Sequence, residues 1–143
     1  MRKILWFAIL AAACASSPQR PAAIAKPEAF VEALGRPFFG DSGEAPLDLG
    51  VTITNRSSET LQVRSIRVAS VGMAQFAIRS INQRFHDDIA PGETKRLVVP
   101  ATAITSEARL LPNEPLTLRL DIAFETKSKK IFHELYNSDR IFF

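Results

Sequence analysis

The chain contains a single cysteine, Cys14, so no internal disulfide can staple it. Its only imidazoles are His86 and His133, and its only methionines are Met1 and Met73, which excludes a Met- and His-rich copper site. No G-x-S-x-G segment gives a serine nucleophile its setting, and no glycine-rich loop is present to cradle a phosphate. No apolar run approaches the roughly 20 residues that a membrane-spanning helix needs. Charge of one sign is lacking too: 18 Lys and Arg stand against 15 Asp and Glu.

What the chain does have is a marked N-terminus, MRKILWFAILAAAC. Arg2 and Lys3 precede ten apolar residues, Ile4 to Ala13, and small residues close the run, which is the layout of a secretory signal. Ala11 and Ala13 satisfy an A-x-A cleavage site, while Leu10-Ala11-Ala12-Ala13-Cys14 resembles the lipobox of bacterial lipoproteins. It departs from that pattern at Ala11, where the family prefers Leu. The resemblance implies that Cys14 becomes the lipidated first residue and that Ala15 directs the protein to the outer membrane. A lone thiol is an oxidation liability in an oxidising compartment, and acylation removes it. More than one acyl chain gives stable anchoring in a bilayer.

The expected organisation is a leader at 1–13, a tether at 14–27 and one domain at 28–143. Removing the leader takes Arg2 and Lys3 with it, leaving 16 basic residues against 15 acidic ones. That balance carries no electrostatic footprint for nucleic acid. Lys127, Lys129 and Lys130 read as a solvated turn. The tether, rich in Ala, Ser and Pro, could span roughly 35–40 Å if extended.

Beyond it, Pro27–Gly35 suits either a short helix or a first strand, and the β character downstream favours the strand. Gly40–Pro46 reads as a turn. Leu47, Leu49, Val51 and Ile53 then alternate with polar residues, as expected of a strand with one buried face. Asn55–Glu59 is a polar turn. In the next segment Leu61 and Val63 share one phase while Ile66 and Val68 share the other, which predicts a β-bulge or a change of neighbour. Phe76 and Ile78 alternate after Gly72, and Ile81, Phe85 and Ile89 suggest a connecting strand or packed loop. Pro91-Gly92-Glu93 suits a type II turn. Lys95–Ala101 is a short strand and Thr102–Pro115 an irregular connection. Leu116, Leu118, Leu120, Ile122 and Phe124 form the most regular face, and Thr126–Lys129 turns the chain into a partner strand, Lys130–Tyr136. Ile141–Phe143 offers a last edge pairing, and its aromatic end fits an ordinary strand better than an outer-membrane barrel signature.

These segments predict an all-β, antiparallel sandwich of about 6–8 strands. The runs LDLGVTITNRSSETLQVRSIRV, IAPGETKRLVVPA and LTLRLDIAFE resemble bacterial immunoglobulin-like and late-embryogenesis-abundant type-2-like domains. That resemblance covers Leu47 to Phe132 and implies an immunoglobulin-like sandwich.

Chemistry is sparse. His86, Asp87 and His133 are the weak candidates for a metal or ligand site, provided their two segments converge. Asp121 and Glu125 lie roughly 13 Å apart along one strand face, too far for a glycosidase pair. No catalytic residue, no resident metal and no cofactor is expected. The expected role is a non-enzymatic, lipid-anchored envelope protein, held to the bilayer by acylated Cys14 on the periplasmic face of the outer membrane and binding an envelope protein partner. A small-ligand or metal-binding lipoprotein is the alternative.

Overall fold

The computed structural model describes residues 25–71, 76–105 and 115–138. The leader with Cys14, most of the tether, Gly72, much of the Thr102–Pro115 connection and Ile141–Phe143 lie outside them. Among the described residues eight strands run in chain order: β1 (Glu28–Ala33), β2 (Glu44–Thr54), β3 (Leu61–Ser70), β4 (Ala77–Ile78), β5 (Ile81–Ile89), β6 (Thr94–Ile104), β7 (Leu118–Thr126) and β8 (Ile131–Asn137). They form two four-stranded antiparallel sheets, ordered β1-β2-β6-β4 and β5-β3-β7-β8. The all-β sandwich read from the alternating segments is the observed fold.

Alternation decides which side chains meet between the sheets. Leu47, Leu49, Val51 and Ile53 of β2 and Leu97 and Val99 of β6 face Leu118, Leu120, Ile122 and Phe124 of β7, all buried. Each such side chain contributes about 1.5–3 kcal/mol of apolar transfer. The ambiguous Pro27–Gly35 segment is a strand at the edge of the first sheet, with Val31 opposite Val51. Two other boundaries differ from expectation. Glu44 to Pro46, read as turn, extend β2 because Glu44 pairs with Ile104 and Pro46 with Thr102. For the same reason β6 continues past Ala101 to Ile104.

The phase slip in β3 is a bulge. Against β7, Val63 pairs with Phe124 and Ser65 with Ala123, so Arg64 is one residue too many. Against β5, Val63 pairs with Asp87 and Ser65 with Arg84, so Phe85 and His86 together face Arg64. The two irregularities lie side by side in adjacent strands. They let Leu61 and Val63, then Ile66 and Val68, all point inward.

One end of the sandwich is closed by a buried amide. Asn55 Nδ2 donates to the carbonyls of Glu59 (2.8 Å) and Ile89 (2.9 Å), and its Oδ1 accepts from the Ser57 N–H and hydroxyl. Its backbone N–H donates to Glu93 O, and Gly92 N–H donates back to Asn55 O. The Asn55–Glu59 and Pro91–Glu93 turns are therefore one knot. Gly92, at φ 76°, takes the third position of the Ala90–Glu93 turn, closed by Glu93 N–H to Ala90 O.

Candidate functional site

The outer face of the β5-β3-β7-β8 sheet holds the densest group of chemistry-bearing side chains. Strand register aligns Arg84, Ser65, Ala123 and His133 in one row across it. The adjacent row is Asn82, Arg67, Asp121 and Leu135. The paired bulge adds Arg64 and His86 beside these rows, and the result is a shallow depression of about 390 Å³. Arg64, Asn82, Arg84 and His86 line one side, and Ile131 and His133 the other. Ser65 and Ala123 lie between.

Hydrogen bonding fixes how these groups are presented. Arg64 Nε reaches Glu125 Oε2 at 3.2 Å, and one of its terminal nitrogens donates to Gln62 Oε1 at 2.8 Å. That same nitrogen approaches His86 Nδ1 at 3.5 Å. A guanidinium has no acceptor, so a neutral His86 that bonds to it accepts at Nδ1 and carries its proton on Nε2. His133 Nδ1 meets Asp121 Oδ1 at 2.8 Å, and a carboxylate accepts, so Nδ1 carries a proton and, in the neutral ring, Nε2 is the free nitrogen. Glu125, buried on this face, also receives Lys129 at 3.0 Å.

His86 and His133, read from sequence as members of two segments that had to converge, thus line one depression. Asp87 is not with them. Its position in β5 matches inward-facing Val63, and it pairs with Lys95 of the opposite sheet at 2.9 Å, bridging the layers at their margin. That hydrogen bond, opposed in part by desolvation, holds the Lys95 ammonium above its ordinary pKa. Among the described residues no three His, Cys, Asp or Glu side chains converge on a metal position. Ser65 and His133 are separated by the intervening strand, about 10 Å, so they form no nucleophile–base contact. Sequence reasoning missed Arg84, Arg64 and the Asp121–His133 couple. The phase slip between Val63 and Ile66 was the one signal that pointed here.

The entry of the chain into the domain is also fixed. Tyr136 Oη of β8 donates to Pro27 O at 2.6 Å, and Lys26 Nζ lies 4.9 Å from the centre of the Tyr136 ring. Lys26 also pairs with Glu134 at 3.0 Å. Residues 26 and 27 therefore clasp the edge strand of the second sheet just before the chain enters the first. Arg56 and Glu28 pair beside the start of β1, and their hydrogen bond is the main cause holding the Glu28 carboxyl below its usual range. No helix among the described residues is long and apolar enough to cross a membrane.

No protein-family model and no curated protein matches the sequence. Solved structures do resemble the fold. The Northeast Structural Genomics Consortium target SoR45 aligns with a TM-score of 0.57 at 9% identity, over 82% of this chain and 86% of that one. A protein from Archaeoglobus fulgidus aligns at a TM-score of 0.45 and 8% identity, over 80% of this chain and 92% of that one. A Bacteroides uniformis β-glucuronidase gives 0.41 and 14% over 78% of this chain, a match to only 13% of the enzyme. The first likeness places the chain among β-sandwich domains; the other two are too loose to carry an argument.

Proposed function

We propose that the protein is a lipid-anchored, non-enzymatic module of the bacterial cell envelope, held by acylated Cys14 at the periplasmic face of the outer membrane, whose β-sandwich engages an envelope protein partner. The observation that carries this reading is the leader itself, Arg2-Lys3, an apolar run and Ala-Ala-Cys14, followed by a polar tether. The clasp of Lys26 and Pro27 on β8 supports it, since it defines the point at which such a tether leaves the folded domain. The strand order supports an immunoglobulin-like type. With β5 set aside, β1-β2-β6-β4 and β3-β7-β8 reproduce the A-B-E-D and C-F-G sheets of that fold, and β5 is an extra strand beside the third. The test is fractionation of cells carrying Cys14→Ser. The protein is expected to move from the membrane to the soluble fraction, and retention in the membrane contradicts the anchoring.

The second reading, a small-ligand or metal-binding lipoprotein, is favoured by the meeting of His86 and His133 in one depression. Arg64 and Arg84 in the same lining oppose a metal cation, so the small-ligand form is the better supported. Titration with zinc, compared between the wild type and a His86→Ala/His133→Ala double variant, separates the two. Binding that the double variant loses would establish the metal form.

A further inference from the structure

The depression on the outer face of the second sheet has a charge pattern that selects its ligand. None of its lining residues is acidic. Its two carboxylate neighbours are already engaged behind the lining: Glu125 with Arg64 and Lys129, Asp121 with His133. Arg84, exposed at the rim, forms no ion pair among the described residues. Arg84 is thus the lining cation without a carboxylate partner, while Arg64 shares Glu125 with Lys129.

The donor pattern agrees with the charge. With Arg64 3.5 Å from its Nδ1, His86 directs Nε2 away from that guanidinium as the nitrogen that offers an N–H. Asn82 and Ser65 offer an amide and a hydroxyl. His133, its Nδ1 spent on Asp121, keeps Nε2 as the acceptor of the group. Ile131, 57% exposed, and Ala123 supply an apolar surface against which a carbon skeleton can lie. The volume suits a small molecule.

From these observations we infer that the depression formed by the Arg64 and His86 bulges binds a small monocarboxylate, its carboxylate held by Arg84 and His86 and a neighbouring hydroxyl donated to His133 Nε2. The unpaired Arg84 of the lining matches the single charge of a carboxylate. Bulges commonly lie beside binding sites because they re-aim side chains, and two adjacent ones do so here. The inference does not depend on the anchoring of Cys14.

The experiment is an NMR titration of the isotopically labelled full chain with mandelate, which carries a carboxylate, an adjacent hydroxyl and an apolar ring. Parallel titrations use mandelamide, its neutral counterpart, and inorganic phosphate. Saturable shifts confined to the His86 and His133 rings and to the amides of β5 and β8 are expected, with a dissociation constant on the order of 1 mM for so open a site. Mandelamide and phosphate should bind at least about tenfold more weakly. Arg84→Gln, at an exposed position, should weaken mandelate about tenfold or more, whereas Arg119→Gln, on the same face outside the depression, should change nothing. His86→Gln, which restores an N–H donor, should bind better than His86→Leu. Equal binding of mandelamide, tighter binding of phosphate, an unchanged Arg84→Gln variant, or no shift at these residues would overturn the proposal.

Discussion

Asn55 shows what a single side chain contributes when all of its polar atoms are used. It is fully buried, and its amide satisfies two carbonyls and two donors that would otherwise be stranded at the end of the sandwich. Asn55→Ala strands those groups and should cost about 3 kcal/mol, read from the midpoint of urea unfolding. An unchanged midpoint would mean that water replaces the amide. Tyr136 gives a second test at this scale. Burial first, and then the Glu134 carboxylate, push its phenol well above the ordinary 10.0. The protonated phenol is the form that donates to Pro27, so its contribution is complete below 10.0 and declines as pH rises past it, because the unfolded chain ionises first. As the only tyrosine, Tyr136 can be followed by tyrosinate absorbance. Absorbance should stay low past that pH in the folded protein, and Tyr136→Phe should remove this part of the alkaline loss of stability.

At the scale of elements, the bulge in β3 separates the role of a position from that of its side chain. Deleting Arg64 joins Val63 to Ser65 and leaves Leu61, Val63, Ile66 and Val68 in strict alternation on the inner face, so it removes the bulge without turning a core side chain outward. The deletion should therefore keep a cooperative thermal transition, at a midpoint lowered by the lost Arg64–Glu125 pair and by the altered pairing with β5. Arg64→Ala keeps the register and leaves Glu125 with Lys129 alone, a loss of about 1–3 kcal/mol. If the deletion abolishes cooperative unfolding, the register argument fails. The bulge was legible in the sequence because a period of two cannot slip silently across a buried face. β2 and β7 were legible for the same reason. β5 was less so: its inward phase reads Ile81, Gln83, Phe85, Asp87 and Ile89, because an edge strand is only partly covered and tolerates polar side chains. The Glu44–Pro46 extension of β2 was hidden by turn-forming composition that pairing with β6 overrides. Of the candidate site, His86 and His133 were legible as residue types. Their meeting follows from the order β5-β3-β7-β8, and no local pattern along the chain encodes which strands become neighbours. Asp87 belongs by phase to the inner face, as alternation with Ile89 implies, yet its ion pair with Lys95 depends on how the two sheets are stacked.

The molecule as a whole combines a nearly neutral sandwich with a chain entry clasped at the margin between its sheets. The proposed anchor and the outer face of the second sheet are independent parts of one arrangement: the first sets where the domain resides, the second what it can bind there. The anchoring rests on Cys14, and the mass of the N-terminal peptide purified from membranes of the native host tests it most directly. The account predicts a chain that begins at Cys14 and carries acyl groups on that residue. A chain that keeps Met1–Ala13, or one that carries Cys14 as a free thiol, would contradict it.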